Sequence, residues 1–149
     1  MIKYICGDIF YSPTQTIVIP VNTVGVMGKG LALQAKERYP QMYDWYNLAC
    51  ITGDFKIGNL QLWRTLSKWL LLFPTKMDWR NPSRLEYIDF GLWKFTNVYK
   101  EMEIESISFP KLGCGYGGLS FNDVKPIMEE YLSNLPIKVY IYSKEESVE

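Results

Sequence analysis

The chain reads as an α/β protein with a largely parallel sheet of about six strands and about four helices spread over both faces. Three observations lead there. Short apolar, β-branched runs alternate with longer stretches of helical periodicity along most of the 149 residues. Two of those runs end in glycine clusters that open into a helical pattern, as strands of parallel sheets do. Hydrophobic residues make up 48% of the chain and aromatics 15%, which supports a packed core rather than disorder.

Taken in order, Ile2–Cys6 is the first strand, and Gly7-Asp8-Ile9-Phe10 leaves it as a turn. A loop with Pro13 leads to a buried strand over 16–21, rich in β-branched residues. Helical patterns follow from about Gly28 to Tyr39 and over 41–51, with Pro40 ending the first or opening the second. Tyr43, Tyr46, Ala49 and Cys50 mark partial burial of the second helix. Residues 60–64 and 69–73 form strands joined by a short connection near Ser67, which predicts an antiparallel pair. Residues 74–82 are expected to be a polar-aromatic loop. The third helix is expected over 83–101, with Ser83-x-x-Glu86 as a capping box. Leu85, Ile88, Leu92, Phe95 and Tyr99 supply its apolar face. A strand at 105–109 precedes a last helix from about Ser120, whose buried face is Val124, Ile127, Met128, Tyr131 and Leu132. Pro126 is expected near the start of that helix, where a missing N–H is tolerated. The closing strand is 137–142, and residues 143–149 are expected to fray. With no repeat or interdomain linker, residues 1–149 read as one domain.

Bulk chemistry narrows the function. Sixteen basic and sixteen acidic side chains balance, so no global field draws the chain to nucleic acid. There is no histidine, which excludes Ser-His and Cys-His catalysis and any zinc site that needs imidazole. Three scattered cysteines, Cys6, Cys50 and Cys114, fit a reducing compartment, the cytoplasm, better than a disulfide framework. Neither a metal nor a cofactor is called for. No apolar run approaches the roughly 20 residues of a membrane span, and no signal peptide is visible.

The glycine clusters carry the chemistry. Val21-Asn22-Thr23-Val24-Gly25-Val26-Met27-Gly28-Lys29-Gly30-Leu31 leads from a strand into a helix. Phe109-Pro110-Lys111-Leu112-Gly113-Cys114-Gly115-Tyr116-Gly117-Gly118-Leu119 has the same layout. Such loops bring backbone N–H groups close to an anion, so the pair suggests two walls of one cleft suited to a pyrophosphate. Neither matches the dinucleotide or P-loop order. Asp8 is either a turn residue bonded to its own backbone or an acceptor for an exocyclic amine such as that of adenine. Asn22 is either a turn asparagine or a partner for sugar hydroxyls. Lys76 is either a solvated lysine or, if desolvation or a neighbouring cation lowers its pKa, a nucleophile or base. Arg80 is placed to pair with a phosphate or with Asp78, and Trp79 to stack on a base or to pack.

These residues resemble a macrodomain. The resemblance rests on Gly7-Asp8-Ile9, the stretch from Val21 to Gly30, Phe73-Pro74-Thr75-Lys76 with Trp79-Arg80 and Ser83-Arg84-Leu85-Glu86 after it, and Gly113 to Leu119. It spans nearly the whole chain and points to the DarG-type antitoxin branch of DNA ADP-ribosyl glycohydrolases, related to the terminal ADP-ribose protein glycohydrolases (ALC1-like). It implies a three-layer α/β/α fold with a mixed, centrally parallel sheet that binds ADP-ribose. Asp8 and Ile9 would hold the adenine and Asn22 the distal ribose. Thr23, Gly25, Val26, Met27, Gly28, Gly30 and Leu31, with Thr75, Gly113, Cys114, Gly115, Tyr116, Gly117 and Gly118, would complete the ligand site. Lys76 matches the family's catalytic lysine. In the glutamate-directed branch an aspartate in the second glycine loop assists the lysine; the corresponding place here is Gly117.

The expected reaction is removal of ADP-ribose from thymine in single-stranded DNA, reversing the modification made by a DarT-like toxin. Lys76 would attack the anomeric carbon or protonate the leaving base. Lys29, Trp79 and Arg80 would supply local DNA contacts. The toxin-restraining domain of full-length antitoxins is expected to lie outside these 149 residues, and the domain itself is expected to be monomeric. The rivals are an ADP-ribose reader, a hydrolase of protein-linked (glutamyl) ADP-ribose, and a phosphatase of ADP-ribose 1″-phosphate.

Overall fold

A computed structural model describes residues 1–143. It contains β1 (Ile2–Cys6), β2 (Thr16–Asn22), α1 (Gly30–Arg38), α2 (Pro40–Ile51), β3 (Gln61–Arg64), β4 (Trp69–Lys76), α3 (Leu85–Val98), β5 (Ser106–Pro110), α4 (Phe121–Leu132) and β6 (Lys138–Ser143). The strands form one sheet in the order β1-β6-β5-β2-β4-β3. Every pairing is parallel except β3 with β4, the pair expected to be antiparallel. Among the described residues no helix is long and apolar enough to cross a membrane.

Two-residue periodicity in the central strands builds the three layers. Val18, Leu71, Phe73, Ile107 and Phe109 point to one face and pack under Ile88, Leu92 and Phe95 of α3 and Val124, Met128 and Leu132 of α4. Ile17, Ile19, Val21, Leu70 and Leu72 point to the other and meet Ala35 of α1 and Met42 and Tyr46 of α2. A strand buried on both faces reads as a continuous apolar run, which is why 16–21 and 69–73 were recognisable in the sequence.

The departures have local causes. Strand β4 continues through Pro74 and Thr75 to Lys76, where a loop was expected. Antiparallel pairing with β3 ends at Leu72, so one edge of β4 is free beyond it, and a proline is tolerated there. The capping box is not made. Helix α3 starts at Leu85, with Arg84 at its N-cap and no side-chain cap, and ends at Val98. Ser83 instead donates its N–H to the carbonyl of Gly117, 2.9 Å away. Pro126 lies inside α4 rather than at its start, and Ser120 caps that helix through its hydroxyl. Pro40 opens α2. Ser143 is the last residue of β6, and the rest of the expected frayed tail lies outside the described residues.

Candidate functional site

The carboxyl ends of five parallel strands line one edge of the sheet. The segments that leave them border a cavity of about 960 Å³. Ligands of open α/β sheets bind at this edge. Across it come Asp8 after β1, Ser143 of β6, Pro110 of β5, Asn22 of β2 and Lys76 of β4. At an inter-strand spacing of about 4.8 Å, the row is about 19 Å long, suited to an elongated ligand laid across the strand ends.

Asp8 holds one end. Its Oδ1 accepts the N–H of Phe10 at 3.0 Å and caps the short 3-10 turn Ile9–Tyr11. Asp8 thus takes the turn role, and both Asp8 and Ile9 line the cavity.

Asn22 organises the first glycine loop from within. Only 6% exposed, it accepts the N–H groups of Val24 and Val26 at 3.1 and 3.2 Å on its side-chain oxygen. Its amide nitrogen donates to the carbonyl of Val26 at 2.7 Å. The Tyr46 hydroxyl of α2 reaches its main-chain and side-chain oxygens at 2.7 and 2.9 Å. One amide hydrogen remains for a ligand. The loop then delivers α1 with no side-chain cap at Lys29, so the first N–H groups of that helix face the cavity with Lys29, Gly30, Leu31 and Ala32. A lysine at a helix N-terminus opposes the helix dipole. Both become favourable together once an anion sits between them.

The second loop faces the first. Lys29 Nζ lies 5.2 Å from the centre of the Tyr116 ring, closing a cation–π contact across the cleft. That ring lies against Gly30, whose φ of 58° suits glycine. The N–H groups of Gly115, Tyr116 and Gly117 have no acceptor among the described residues. Gly117 is crowded: a Cβ there would lie 2.3 Å from the carbonyl oxygen of Gly113 and 2.5 Å from Ser83 Oγ. No aspartate fits at this place while the loop keeps this conformation. Cys114 is half-buried, and burial pushes its thiol pKa up, which keeps it a poor nucleophile.

Lys76 holds the other end. A register shift at Val21/Asn22 sets Asn22 beside Lys76, and such bulges re-aim side chains next to sites. Its Nζ donates to the carbonyls of Tyr116 at 3.0 Å and Trp79 at 3.4 Å. Desolvation, then the charge of Lys29, hold its pKa below the ordinary lysine value. The shift favours the neutral amine relative to an ordinary solvated lysine. Ser83, beneath Gly117, carries a buried hydroxyl without a partner among the described residues.

The family model described as Macro domain matches residues 18–128. The chain belongs to the Macro domain family. Among relatives, a Mycobacterium tuberculosis protein named DNA ADP-ribosyl glycohydrolase is 44% identical over 140 residues, 91% of this chain and 40% of that protein. The solved macrodomain of Mycobacterium tuberculosis DarG superposes with a TM-score of 0.92 at 42% identity, over 97% of this chain and 99% of that one. Thermosipho africanus DarTG in complex with ADP-ribose gives 0.89 at 39% identity, over 96% of this chain and 41% of that one. The chain spans about 40% of the length of the curated relatives it matches.

In this macrodomain the cavity gathers most of the predicted site. Asp8, Ile9, Asn22, Val26, Gly28, Lys29, Gly30, Leu31, Thr75, Lys76, Trp79, Gly113, Cys114, Gly115, Tyr116 and Gly117 all line it. Five predicted residues do not. Gly25 turns toward α2, where its carbonyl accepts from Tyr43 and Asn47. Met27, 1% exposed, packs into the core under α1 and α2. Thr23 ties the loop to the main chain of Met77. Gly118 lies at the exit of the second loop. Arg80 forms a close pair with Asp78 at 2.9 and 2.7 Å and does not line the cavity. Residues outside the predicted set line it as well, among them Ser83, Lys111, Phe121 and Tyr142. The sequence placed Tyr142 only at the end of the closing strand and assigned Phe121 no role, and the tertiary arrangement brings both to this edge.

Proposed function

We propose that this macrodomain hydrolyses the N-glycosidic bond between ADP-ribose and a thymine base of single-stranded DNA. The observation that carries the reading is Lys76: a lysine with lowered pKa at the far end of an elongated cavity from Asp8, next to the loops suited to a pyrophosphate. Adenine would lie against Asp8 and Ile9. The pyrophosphate would take the N–H groups at the start of α1 and of Gly115 to Gly117, and Asn22 would meet the distal ribose beside Lys76. In this arrangement the glycosidic carbon faces Lys76. The C–N bond breaks, a water oxygen adds to the carbon, and a proton passes to the departing base nitrogen. Donors fixed around the diphosphate hold the sugar as it gains oxocarbenium character.

Relatives named DNA ADP-ribosyl glycohydrolase support the DNA substrate, as does Gly117, which leaves no room for a second carboxylate beside Lys76. The Thermosipho africanus relative is named as a fusion of a DNA ADP-ribosyl transferase with a DNA ADP-ribosyl glycohydrolase. A transferase of that kind is the partner reaction that would supply the substrate. The chain is proposed to act as a cytoplasmic monomer, where Cys6, Cys50 and Cys114 stay reduced.

The test is release of ADP-ribose from thymine-modified single-stranded DNA by wild type and Lys76→Ala, with a glutamyl-ADP-ribosylated peptide in parallel. Wild type should clear the DNA, and the variant should lose at least about a hundredfold in rate. Binding of ADP-ribose with no turnover of either substrate would make the domain a reader instead.

A further inference from the structure

The segment from Lys76 to Arg84 serves two cavities. Lys76, Trp79 and Ser83 face the large one. Met77, Asn81, Pro82 and Arg84, with Tyr87 of α3, line a small, open depression of about 340 Å³. Lys76 and Met77 are consecutive residues, and each lines one of the two. Trp79, half exposed, lines the large cavity in between, with the Arg80 guanidinium 5.4 Å from its ring.

The chemistry of the second cavity differs from that of the first. Tyr87 and Pro82 offer flat apolar surface, and Asn81 offers an amide that both donates and accepts. The Arg84 guanidinium lies 6.0 Å from the centre of the Tyr87 ring. Its counter-ion, Glu86, is 3.4 Å away, and both side chains are more than half exposed. A pair so exposed is weak and is readily exchanged for another anion. Arg80, by contrast, is held by two hydrogen bonds to Asp78, which makes Arg84 the more available cation.

We propose that this cavity is a subsite for the nucleotide next to the ADP-ribosylated base in single-stranded DNA. The flanking base stacks on Tyr87 and Pro82, and its phosphate takes Arg84. The inference rests on the DNA-directed reading above: a modified base held at Lys76 has neighbours along the strand that lie outside the large cavity. Stacking platforms joined to a cation are how proteins hold single strands with little sequence preference. They also allow the task in a chain of zero net charge.

The experiment compares ADP-ribose release from two substrates, ADP-ribosyl-thymidine as a single nucleoside and the same modification within a short oligonucleotide. Wild type, Tyr87→Ala and Arg84→Gln are assayed on both. Wild type should show a kcat/KM about tenfold higher on the oligonucleotide, in line with one stacked base. Both variants should lose that advantage and match wild type on the single nucleoside. Arg84→Gln should also flatten the salt dependence on the oligonucleotide, because one phosphate contact is gone. Should Tyr87→Ala fold poorly, Arg84→Gln decides alone, since that side chain is exposed. Equal wild-type rates on both substrates, or variants that keep the oligonucleotide advantage, overturn the subsite. Wild type inactive on both substrates overturns the DNA-directed function, and the subsite with it.

Discussion

Lys76 shows how much one side chain owes to its surroundings. As a motif residue it was visible in the sequence; its lowered pKa comes from burial and from Lys29, which lies 47 positions earlier in the chain. The folded pKa lies below the unfolded one, so between the two values the unfolded chain binds the extra proton. The cost to folding is full below the folded pKa and vanishes as pH rises past the unfolded value. For a nucleophilic amine, kcat/KM should rise with pH along a limb centred below the ordinary lysine value. Lys29→Gln should move that limb to higher pH. A falling limb would assign Lys76 the role of acid. Gly117 carries a second prediction at this scale. Gly117→Asp sets a Cβ against the Gly113 carbonyl, an overlap that no rotamer relieves. The variant should lose about 1–3 kcal/mol of stability and bind ADP-ribose more weakly, measured by melting and calorimetric titration.

At the scale of elements, the first glycine loop is a strand end folded around Asn22. The sequence identified the residue and offered a turn or a sugar contact. The structure shows the turn role directly, through bonds to Val24, Val26 and Tyr46. Asn22→Ala would leave the Val24 and Val26 N–H groups without their acceptor. A loss of about 2–4 kcal/mol is expected, with ADP-ribose binding impaired and far-UV dichroism near wild type. Two local signals failed for a related reason. Ser83 looked like a helix cap, but its amide is used by Gly117 and its hydroxyl is covered. Pro74 looked like a strand end, but the edge it occupies is unpaired. In both cases a tertiary neighbour overrode a valid local preference.

At the scale of the whole molecule, one ligand bridging both glycine loops and five strand ends should couple site and stability. At a hundredfold excess over its dissociation constant, ADP-ribose would add about 2.7 kcal/mol. A rise in melting temperature of about 5–10 °C is the expected readout in differential scanning fluorimetry. The sequence by itself determined the alternation of strands and helices, the antiparallel β3–β4 pair, both glycine loops and Lys76. Each of these is written in a local period, a turn residue or a contiguous motif. Tertiary structure alone decided which loop residues face the ligand. Gly25 and Met27 sit among cavity-lining neighbours and turn away, because α2 and the core take them. It alone brought Tyr142, Phe121 and Ser83 to the site. Strand order β1-β6-β5-β2-β4 sets which distant residues share an edge, and that order is settled by packing two helical layers onto one sheet, which no local pattern records.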